Sequence, residues 1–355
     1  RAAAAATLET AFEGIGGGAK LTAPVDLTAG LLRGPGSIEI EHPEVATLVG
    51  LWNDAWPLAK RSVGPGRLAV RLTPRDDDRH DLRLDLRAGE MTMALAGTMG
   101  RLRQLWPLDL TFDIRHPRAL GLVRQVTENW RPRGEDIGRL ALGGRFSGDN
   151  TVFQVSRLSL TAGASVLTGA INYAEGARPR VDAQLTASQL TPLEWLPAAG
   201  IAALWPARDR LNRWLTAVDG DLTLAVTDLA VGGATGGTSW HDALLEADLS
   251  EGVLTVRRAR ARREAGLVNL SGTLTGGALP TLAVTLAAED FNLRGVRLNE
   301  DFILRAGRGE GRALLRSVGE TFDEMLVNLS GSGDFALTEA ILAGIDLTAL
   351  SVAAT

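Results

Sequence analysis

An internal repeat is the feature of this sequence that most constrains its fold. Residues 42–56 begin with His-Pro, end with Trp and align with residues 116–130 at a constant shift of 74 residues. A looser third copy follows 75 residues later, where Pro192 and Leu193 precede Trp205 and Pro206. A repeat of this kind is one supersecondary unit that buries its apolar residues against its neighbours. The 355-residue chain is therefore predicted to be a repeat array and not one globular core.

The two clear copies carry a helical pattern, because their apolar residues recur every three or four positions. These residues are Val45, Leu48, Val49, Trp52 and Trp56 in the first copy, and Ala119, Leu122, Val123, Val126 and Trp130 in the second. Each copy is predicted to contribute one short amphipathic helix. His42 and His116 hold equivalent positions before a proline. This equivalence favours a shared structural role, such as helix entry, over catalysis.

Between the predicted helices the apolar period changes to two, the pattern of strands with one wet face. The alternating runs are Leu68–Leu72, Leu82–Leu86, Met91–Leu95 and Leu108–Ile114, and later Val181–Leu185, Leu222–Val226, Leu245–Leu249 and Leu282–Leu286. Arg, Asp and Thr fill many of the intervening positions. The predicted fold is therefore mainly β with short helices, an elongated, curved antiparallel sheet that forms an apolar groove.

The pattern leaves open what covers the apolar side of this sheet. Aromatic residues make up 5% of the chain and only short helices are available as cover. The sheet either folds onto itself as a sandwich or stays a trough that an apolar ligand can fill. A recurring Leu-x-Gly step, with Gly97, Gly169, Gly272 and Gly331, predicts bulges or close backbone approaches that set how sharply the sheet curves.

Composition excludes several classes of function. The chain has no cysteine, which rules out disulfides, thiolate metal sites and a cysteine nucleophile. A formal net charge of −5 disfavours a nucleic-acid partner. No serine lies in a nucleophile-elbow motif and no acidic pair stands out. We therefore assign no catalytic residue, expect no cofactor and predict that the chain is not an enzyme.

Two charged clusters are candidates for binding. Residues 76–81 offer carboxylates and an imidazole, but they lack the glycine and the distal glutamate of a calcium loop. Because they lie between two predicted strands, a solvated hairpin loop is favoured and no metal site is predicted. The run from Arg257 to Arg263 either contacts anionic headgroups or forms a wet strand face, and the wet face is the simpler interpretation.

The last third of the chain resembles a known family. Gly307-Arg-Gly-Glu-Gly311 is followed by residues 314–322, by residues 325–337 and by Gly344-Ile-Asp-Leu347. Their order and spacing are similar to the C-terminal signature of the AsmA-like family, and residues 240–274 resemble the strand pairs that precede it. Two features depart from the family pattern. Ala340 and its neighbours lack the usual glycine, and the segments that normally follow Gly-Ile-Asp-Leu are missing.

The resemblance implies a bacterial envelope protein whose periplasmic part is a curved β-structure with an apolar groove. TamB-type relatives in this family are proposed bridges for phospholipid. The implied location is the periplasm, with a tether to the inner membrane that this chain lacks. The start at Arg1 and the end at Thr355 indicate a piece of a longer protein.

Repeats and resemblance together predict five segments. They are an N-terminal segment at 1–40, a first repeat of helix plus strands at 41–115, a second at 116–190, a third at 191–290, and a truncated AsmA-like C-terminal signature segment at 291–355.

The functional hypothesis is a periplasmic lipid-binding or transfer module that contributes to outer-membrane lipid homeostasis and biogenesis. Its groove would shield the acyl chains of a phospholipid or another lipid. The predicted groove-lining residues are Leu82, Leu84, Leu86, Leu110, Phe112, Leu222, Leu224, Val226, Leu282, Val284 and Leu286. The alternative is a structural or assembly factor that pairs an open sheet edge with strands of an outer-membrane protein. Proteins of the inner and outer membranes are expected partners in both cases.

Overall fold

The structure is a computed structural model that describes residues 5–14, 17–26, 31–32, 34–47, 63–77, 79–100, 106–121, 138–192, 208–231, 238–293 and 303–343. The chain divides into two compact units, Arg1–Ile201 and Ala202–Thr355, called unit 1 and unit 2 below. Each unit is an open, curved antiparallel sheet with little helix, which confirms the predicted mainly β class. The boundary between the units falls inside the predicted third repeat of residues 191–290.

Unit 1 is a meander of antiparallel strands. Its strands are β1 (Ala5–Gly14), β2 (Gly17–Asp26), β3 (Leu31–Leu32), β4 (Gly36–His42), β5 (Gly66–Pro74), β6 (His80–Ala88), β7 (Met91–Met99), β8 (Leu108–His116), β9 (Leu140–Gly148), β10 (Val152–Ala162), β11 (Ser165–Ala174) and β12 (Arg180–Leu190). From β4 onwards each strand pairs with the next one along the chain, and β2 pairs with β1, β3 and β4.

Unit 2 repeats the meander with longer strands. Its elements are α1 (Arg208–Ala217), β13 (Asp219–Val231), β14 (Thr238–Ser250), β15 (Val253–Arg263), β16 (Gly266–Thr275), β17 (Thr281–Asn292), β18 (Ile303–Val318), α2 (Phe322–Val327) and β19 (Ser330–Ala343). Consecutive strands pair antiparallel throughout. The residues that resemble the AsmA-like signature form β18, α2 and β19, whereas its last element, residues 344–347, lies outside the described residues.

The 74-residue repeat is visible as duplicated backbone hydrogen bonds in unit 1. The N–H of Val45 donates to the carbonyl of Gly64 at 2.9 Å, and the N–H of Ala119 donates to the carbonyl of Gly138 at 2.7 Å. A second such pair joins Gly89 to Pro65 at 2.9 Å and Gly163 to Arg139 at 3.0 Å. All four positions of the first copy recur 74 residues later, so the repeated sequence specifies a repeated local structure.

The two equivalent histidines lie where the predicted helices begin. Nδ1 of His42 accepts the N–H of Glu44 at 2.9 Å, and Nδ1 of His116 accepts the N–H of Arg118 at 3.1 Å. Both rings are buried, and residues 45–47 and 119–121 form first helical turns. The histidines therefore satisfy backbone donors at helix entry, as their equivalence predicts. The rest of both predicted helices, and residues 193–207 of the third copy, lie outside the described residues.

Fully buried apolar side chains gather at the strand ends next to helical turns. In unit 1, Leu120 is 1% exposed and packs with Ala119 and Leu140. In unit 2, Leu211 and Leu215 of α1 are buried. The side-chain amide of Asn212 in α1 donates to the carbonyl of Gly277 and accepts its N–H, both at 2.8 Å, which holds α1 on the turn between β16 and β17. The helical segments thus cover the strand ends.

Candidate functional site

The predicted groove residues of unit 1 lie on one side of its sheet, here called the apolar face of unit 1. The register places large apolar residues of neighbouring strands directly opposite one another. The pairs are Leu72 with Leu82, Val70 with Leu84, Leu68 with Leu86, Leu84 with Leu95, Leu95 with Phe112, and Leu110 with Phe146. Cross-strand apolar pairs of this kind stabilise a sheet. Leu82, Leu84, Leu86, Leu110 and Phe112 therefore belong to one continuous apolar surface.

The other predicted groove residues lie together on one side of unit 2, here called the apolar face of unit 2. One row of opposed residues runs across it through Leu222, Ala247, Val256, Gly272, Val284 and Leu315. Beside this row, Leu224 opposes Leu245, Leu270 opposes Leu286, and Leu274 opposes Leu282. Val226 opposes Ala243. All six predicted residues of this unit thus share one face.

These apolar faces are only partly shielded. Nine of the eleven predicted groove residues are half-buried, whereas Leu110 is 8% exposed and Val226 is 5% exposed. In a packed sandwich the middle of each face would be a dry core. The half-buried side chains of the described strands match an open trough better than a closed sandwich. The structure therefore leaves apolar surface available for a ligand.

Glycines of the Leu-x-Gly step lie where neighbouring strands approach closely. Gly97 has φ +151° and Gly169 has φ +155°, which side-chain-bearing residues rarely adopt. A Cβ atom on Gly97 would lie 2.0 Å from the carbonyl oxygen of Asp109, and one on Gly169 would lie 2.1 Å from that of Gln184. The sequence prediction of close backbone approach is confirmed at both positions.

A row of aromatic rings crosses unit 1, and the sequence analysis missed it. Ring centroids are 5.9 Å apart between Trp106 and Phe146, 5.1 Å between Phe146 and Phe153, and 4.5 Å between Phe153 and Tyr173, where the rings stack. Because Phe146 opposes Leu110, the row continues the apolar face of unit 1. In unit 2, Trp240 and Phe291 form a similar contact at 5.9 Å. The separation of these residues along the chain hid the rows.

The opposite side of each sheet carries the charged residues and is called the polar face of that unit. In unit 1, Nε of Arg145 donates to Oδ1 of Asp109 at 2.6 Å, and a second hydrogen bond joins the same two side chains. The hydrogen bond from Arg145 lowers the pKa of Asp109 and raises that of Arg145. A bidentate pair of this kind supplies two charge-assisted hydrogen bonds with a defined geometry between β8 and β9.

The charged clusters singled out in the sequence have ordinary positions. Residues 76–77 and 79 form the turn between β5 and β6, where Arg75 bonds Asp81 at 3.1 Å, so the predicted hairpin loop is confirmed. Arg257 of β15 bonds Asp221 at 2.9 Å and Asp248 at 3.3 Å on the polar face of unit 2. The hydrogen bond that Arg257 donates to Asp221 raises the pKa of Arg257.

Within the described part of the chain, no group of three or more histidine or acidic side chains is placed to hold a metal ion. No helix in that part is long and apolar enough to cross a membrane.

Comparison of the chain with protein-family models, with curated proteins and with solved structures found no match. The resemblance to the AsmA-like family therefore stays a prediction.

Proposed function

We propose that the protein is a periplasmic lipid-binding or transfer module whose apolar faces shield acyl chains. The observation that supports this most is the half-buried state of the predicted groove residues, which leaves cross-strand rows of Leu, Val and Phe partly open. A soluble protein rarely keeps a contiguous apolar surface without a partner for it. Since the described residues of these faces are mainly apolar, shielding by burial is the chemistry that they offer.

The dimensions and energies suit an acyl chain. The hydrocarbon core of a bilayer is about 30 Å thick, so one chain is about 15 Å long. Strands lie about 4.8 Å apart, and an extended chain laid across them would contact about four strands. Each buried methylene contributes about 0.8 kcal/mol, so ten methylenes contribute about 8 kcal/mol towards offsetting loss from a bilayer. The resemblance to the AsmA-like family points in the same direction and supplies the proposed location and membrane partners.

Native mass spectrometry with lipid extraction tests the proposal. We expect the chain, purified from a bacterial host, to carry phospholipid or another acyl lipid. Changing Leu84→Asp, Leu224→Asp and Val284→Asp together should remove it, because charge on the apolar faces opposes burial of an acyl chain. Thr111→Asp, Thr273→Asp and Thr281→Asp, at exposed positions of the polar faces, form the matched control and should keep the lipid. A lipid-free protein that also excludes added lipid would refute the proposal.

The alternative of an assembly factor has one specific observation in its favour. Strand β19 pairs on one side with β18 and has no other strand partner in the described residues. Phe335 is 64% exposed and Ile341 is 58% exposed. An exposed edge of this kind can take up a strand of another protein.

Measuring client binding and lipid uptake of two variants distinguishes the two proposed functions. If strand pairing is the function, Phe335→Lys with Ile341→Lys abolishes binding to an outer-membrane β-barrel client and leaves any bound lipid in place. If lipid binding is the function, the triple aspartate variant loses lipid, and the β19 variant behaves like the parent in lipid uptake.

A further inference from the structure

A second candidate binding site lies on the polar face of unit 2, away from the apolar face. It is a depression of about 660 Å³ over β15–β19. Short, half-buried side chains of β16 and β17 form its floor, namely Asn269, Ser271, Thr285 and Ala287. Long, exposed side chains stand at its borders, including Arg258 of β15 and Arg312 of β18. The floor supplies hydroxyl and amide donors, and the borders supply guanidinium groups.

The register shows how these groups come together. Asn269 lies directly opposite Ala287, and Ala287 lies directly opposite Arg312. Arg258 and Arg257 lie in the β-bulge between Val256 and Ala259, where the pairing of β15 with β16 shifts. A bulge changes the direction in which its side chains project. The short floor residues of β16 and β17 thus lie between Arg258 of β15 and Arg312 of β18.

Two of the three arginines at this depression, Arg258 and Arg312, lack a close carboxylate partner among the described residues. Arg257 is held by Asp221 and Asp248, but the nearest carboxylate oxygen to Arg258 is that of Glu246, 3.9 Å away. Within the described residues Arg312 makes no ion pair, although Asp334 lies opposite it in register. Exposed guanidinium groups bind phosphate oxygens with strong, directional hydrogen bonds.

A depression on the polar face of unit 1 provides the contrast. It has about 470 Å³, and its arginines are Arg67, Arg87 and Arg115. Arg67 lies 3.2 Å from Glu41 and Arg115 lies 2.7 Å from Asp113, so carboxylates of the protein already occupy these guanidinium groups. Two of its three arginines are thus paired within the protein, whereas Arg258 and Arg312 of the unit 2 depression lack a close carboxylate partner and stand beside a floor of hydrogen-bond donors.

Carboxylates also line the site in unit 2 and restrict its ligand. Glu289, Glu310 and Asp334 border the depression together with the arginines. In β17, Glu289 is two residues beyond the floor residue Ala287, so the carboxylate lies further along the strand. A purely anionic ligand would be repelled by three acidic groups, whereas a ligand with a phosphate and an ammonium group can contact both kinds of side chain.

We propose that the depression over β15–β19 binds a phosphate ester of an amino alcohol. The phosphate lies between Arg258 and Arg312, and the ammonium group lies near Glu310 and Asp334. The ester is either a free small molecule or the headgroup of a lipid in a bilayer, because both present the same chemistry. The site is on the opposite side of the sheet from the apolar face, so it does not depend on acyl-chain binding.

Calorimetric titration of the full chain with glycerophosphoethanolamine tests this site. We expect saturable binding that is tighter than binding of glycerol 3-phosphate, which lacks the ammonium group. Arg258→Ala with Arg312→Ala should weaken binding of both esters at least about tenfold. Glu310→Gln with Asp334→Asn should weaken only the ammonium-bearing ester. Arg71→Ala with Arg87→Ala, two exposed arginines of unit 1, is the control of equal charge and should change nothing.

Flotation with phosphatidylethanolamine vesicles separates the two sources of the ester. Binding of the free ester alone assigns a soluble ligand, and binding of vesicles that the Arg258/Arg312 variant loses assigns a bilayer headgroup. Both results support the site. The proposal is overturned if neither probe binds at up to about 10 mM ester, or if the unit 1 control weakens binding as much as the Arg258/Arg312 variant. We expect these variants to keep any lipid bound to the apolar faces, so failure here is distinct from failure of the lipid-binding proposal.

Discussion

The depressions on the polar faces of the two units differ in how their arginines are paired. In unit 1, Arg67 and Arg115 lie within 3.2 Å of a carboxylate oxygen, and Arg87 makes no ion pair among the described residues. In unit 2, Arg258 is 3.9 Å from its nearest carboxylate oxygen, and Arg312 has no ion pair among the described residues. The apolar faces, in contrast, are built from the same cross-strand rows. A common apolar construction can therefore carry polar faces whose arginines are paired differently.

Two glycines of the Leu-x-Gly step, one in each unit, differ in how their backbones and neighbours constrain them. Gly97 in unit 1 has a φ of +151°, and a Cβ atom added to it would lie 2.0 Å from the carbonyl oxygen of Asp109. Gly272 in unit 2 meets the carbonyl oxygen of Ala283 at 2.4 Å, with no left-handed φ. Gly97 is therefore needed for both space and backbone conformation, whereas Gly272 is needed mainly for space.

The largest expected loss of stability comes from substitution of the glycine that has both a positive φ and a close backbone neighbour. Gly97→Ala should lower the free energy of unfolding of unit 1 by about 3 kcal/mol, because it adds backbone strain and a clash with β8. Gly272→Ala should cost about half as much. Gly18→Ala is the control, since nothing lies within 4 Å of its Cβ position. Urea unfolding measures all three, and equal losses at Gly97 and Gly18 would contradict the close approach.

Truncation of a buried leucine in a helical segment should lower the free energy of unfolding by a similar amount in the two units. Leu120→Ala and Leu215→Ala each remove a side chain that is at most 1% exposed and should each cost about 3 kcal/mol. Hydrogen exchange shows where the loss falls. We expect faster exchange mainly in strands of the unit that carries the change, and equal acceleration in both units would contradict their separate packing.

Substitutions in the aromatic contacts should lower the stability of the two units by smaller amounts. Tyr173→Leu removes a stacked ring contact of 4.5 Å in unit 1 and should cost about 1 kcal/mol. Phe291→Leu removes a tilted contact of 5.9 Å in unit 2 and should cost less. Thermal unfolding of the two variants gives the order, and the reverse order would show that ring stacking does not set these stabilities.

The smallest expected effect concerns the ion pairs. Asp109→Asn should cost less than about 1 kcal/mol at neutral pH, because both side chains are more than a third exposed and solvent screens the pair. The pKa of Asp109 is lowered by the hydrogen bond from Arg145, so the pair stabilises the fold above the unfolded pKa of about 3.9. That contribution is lost as pH falls through the lower folded pKa.

Unfolding of the parent and of Asp109→Asn between pH 7 and pH 2 measures this contribution. The difference in unfolding free energy between the two proteins should shrink only at the acid end of the range. Arg312→Ala in unit 2 should leave stability unchanged throughout, and a loss of stability there would show that Arg312 is held by the fold.

The alternating pattern predicts much of this architecture because a strand with one wet face has a period of two. The run Leu108–Ile114 lies inside β8 and the run Leu222–Val226 inside β13. The repeat likewise locates helix entry at His42 and His116. These features are local, so a window of a few residues contains the information that specifies them.

Other features depend on distant residues, and the pattern does not contain them. Whether the apolar faces are open or covered has no effect on alternation, since a strand alternates in a trough and in a sandwich alike. The row from Trp106 to Tyr173 forms only when four separate segments come into register. The free state of Arg312 similarly depends on its neighbours in β17 and β19, which its own sequence neighbours do not reveal.

Photo-crosslinking with a fatty acid that carries a diazirine on its chain tests the central claim most directly. If the apolar faces bind acyl chains, adducts form on groove residues of both units. These are Leu82, Leu84 and Leu86 in unit 1, and Leu222, Leu224, Val226, Leu282, Val284 and Leu286 in unit 2. Their polar-face neighbours, such as Arg83, Asp85 and Thr223, should carry none, since successive residues of a strand face opposite sides. Adducts spread equally over both faces, or absent from the apolar faces, would contradict the proposal that these faces bind acyl chains.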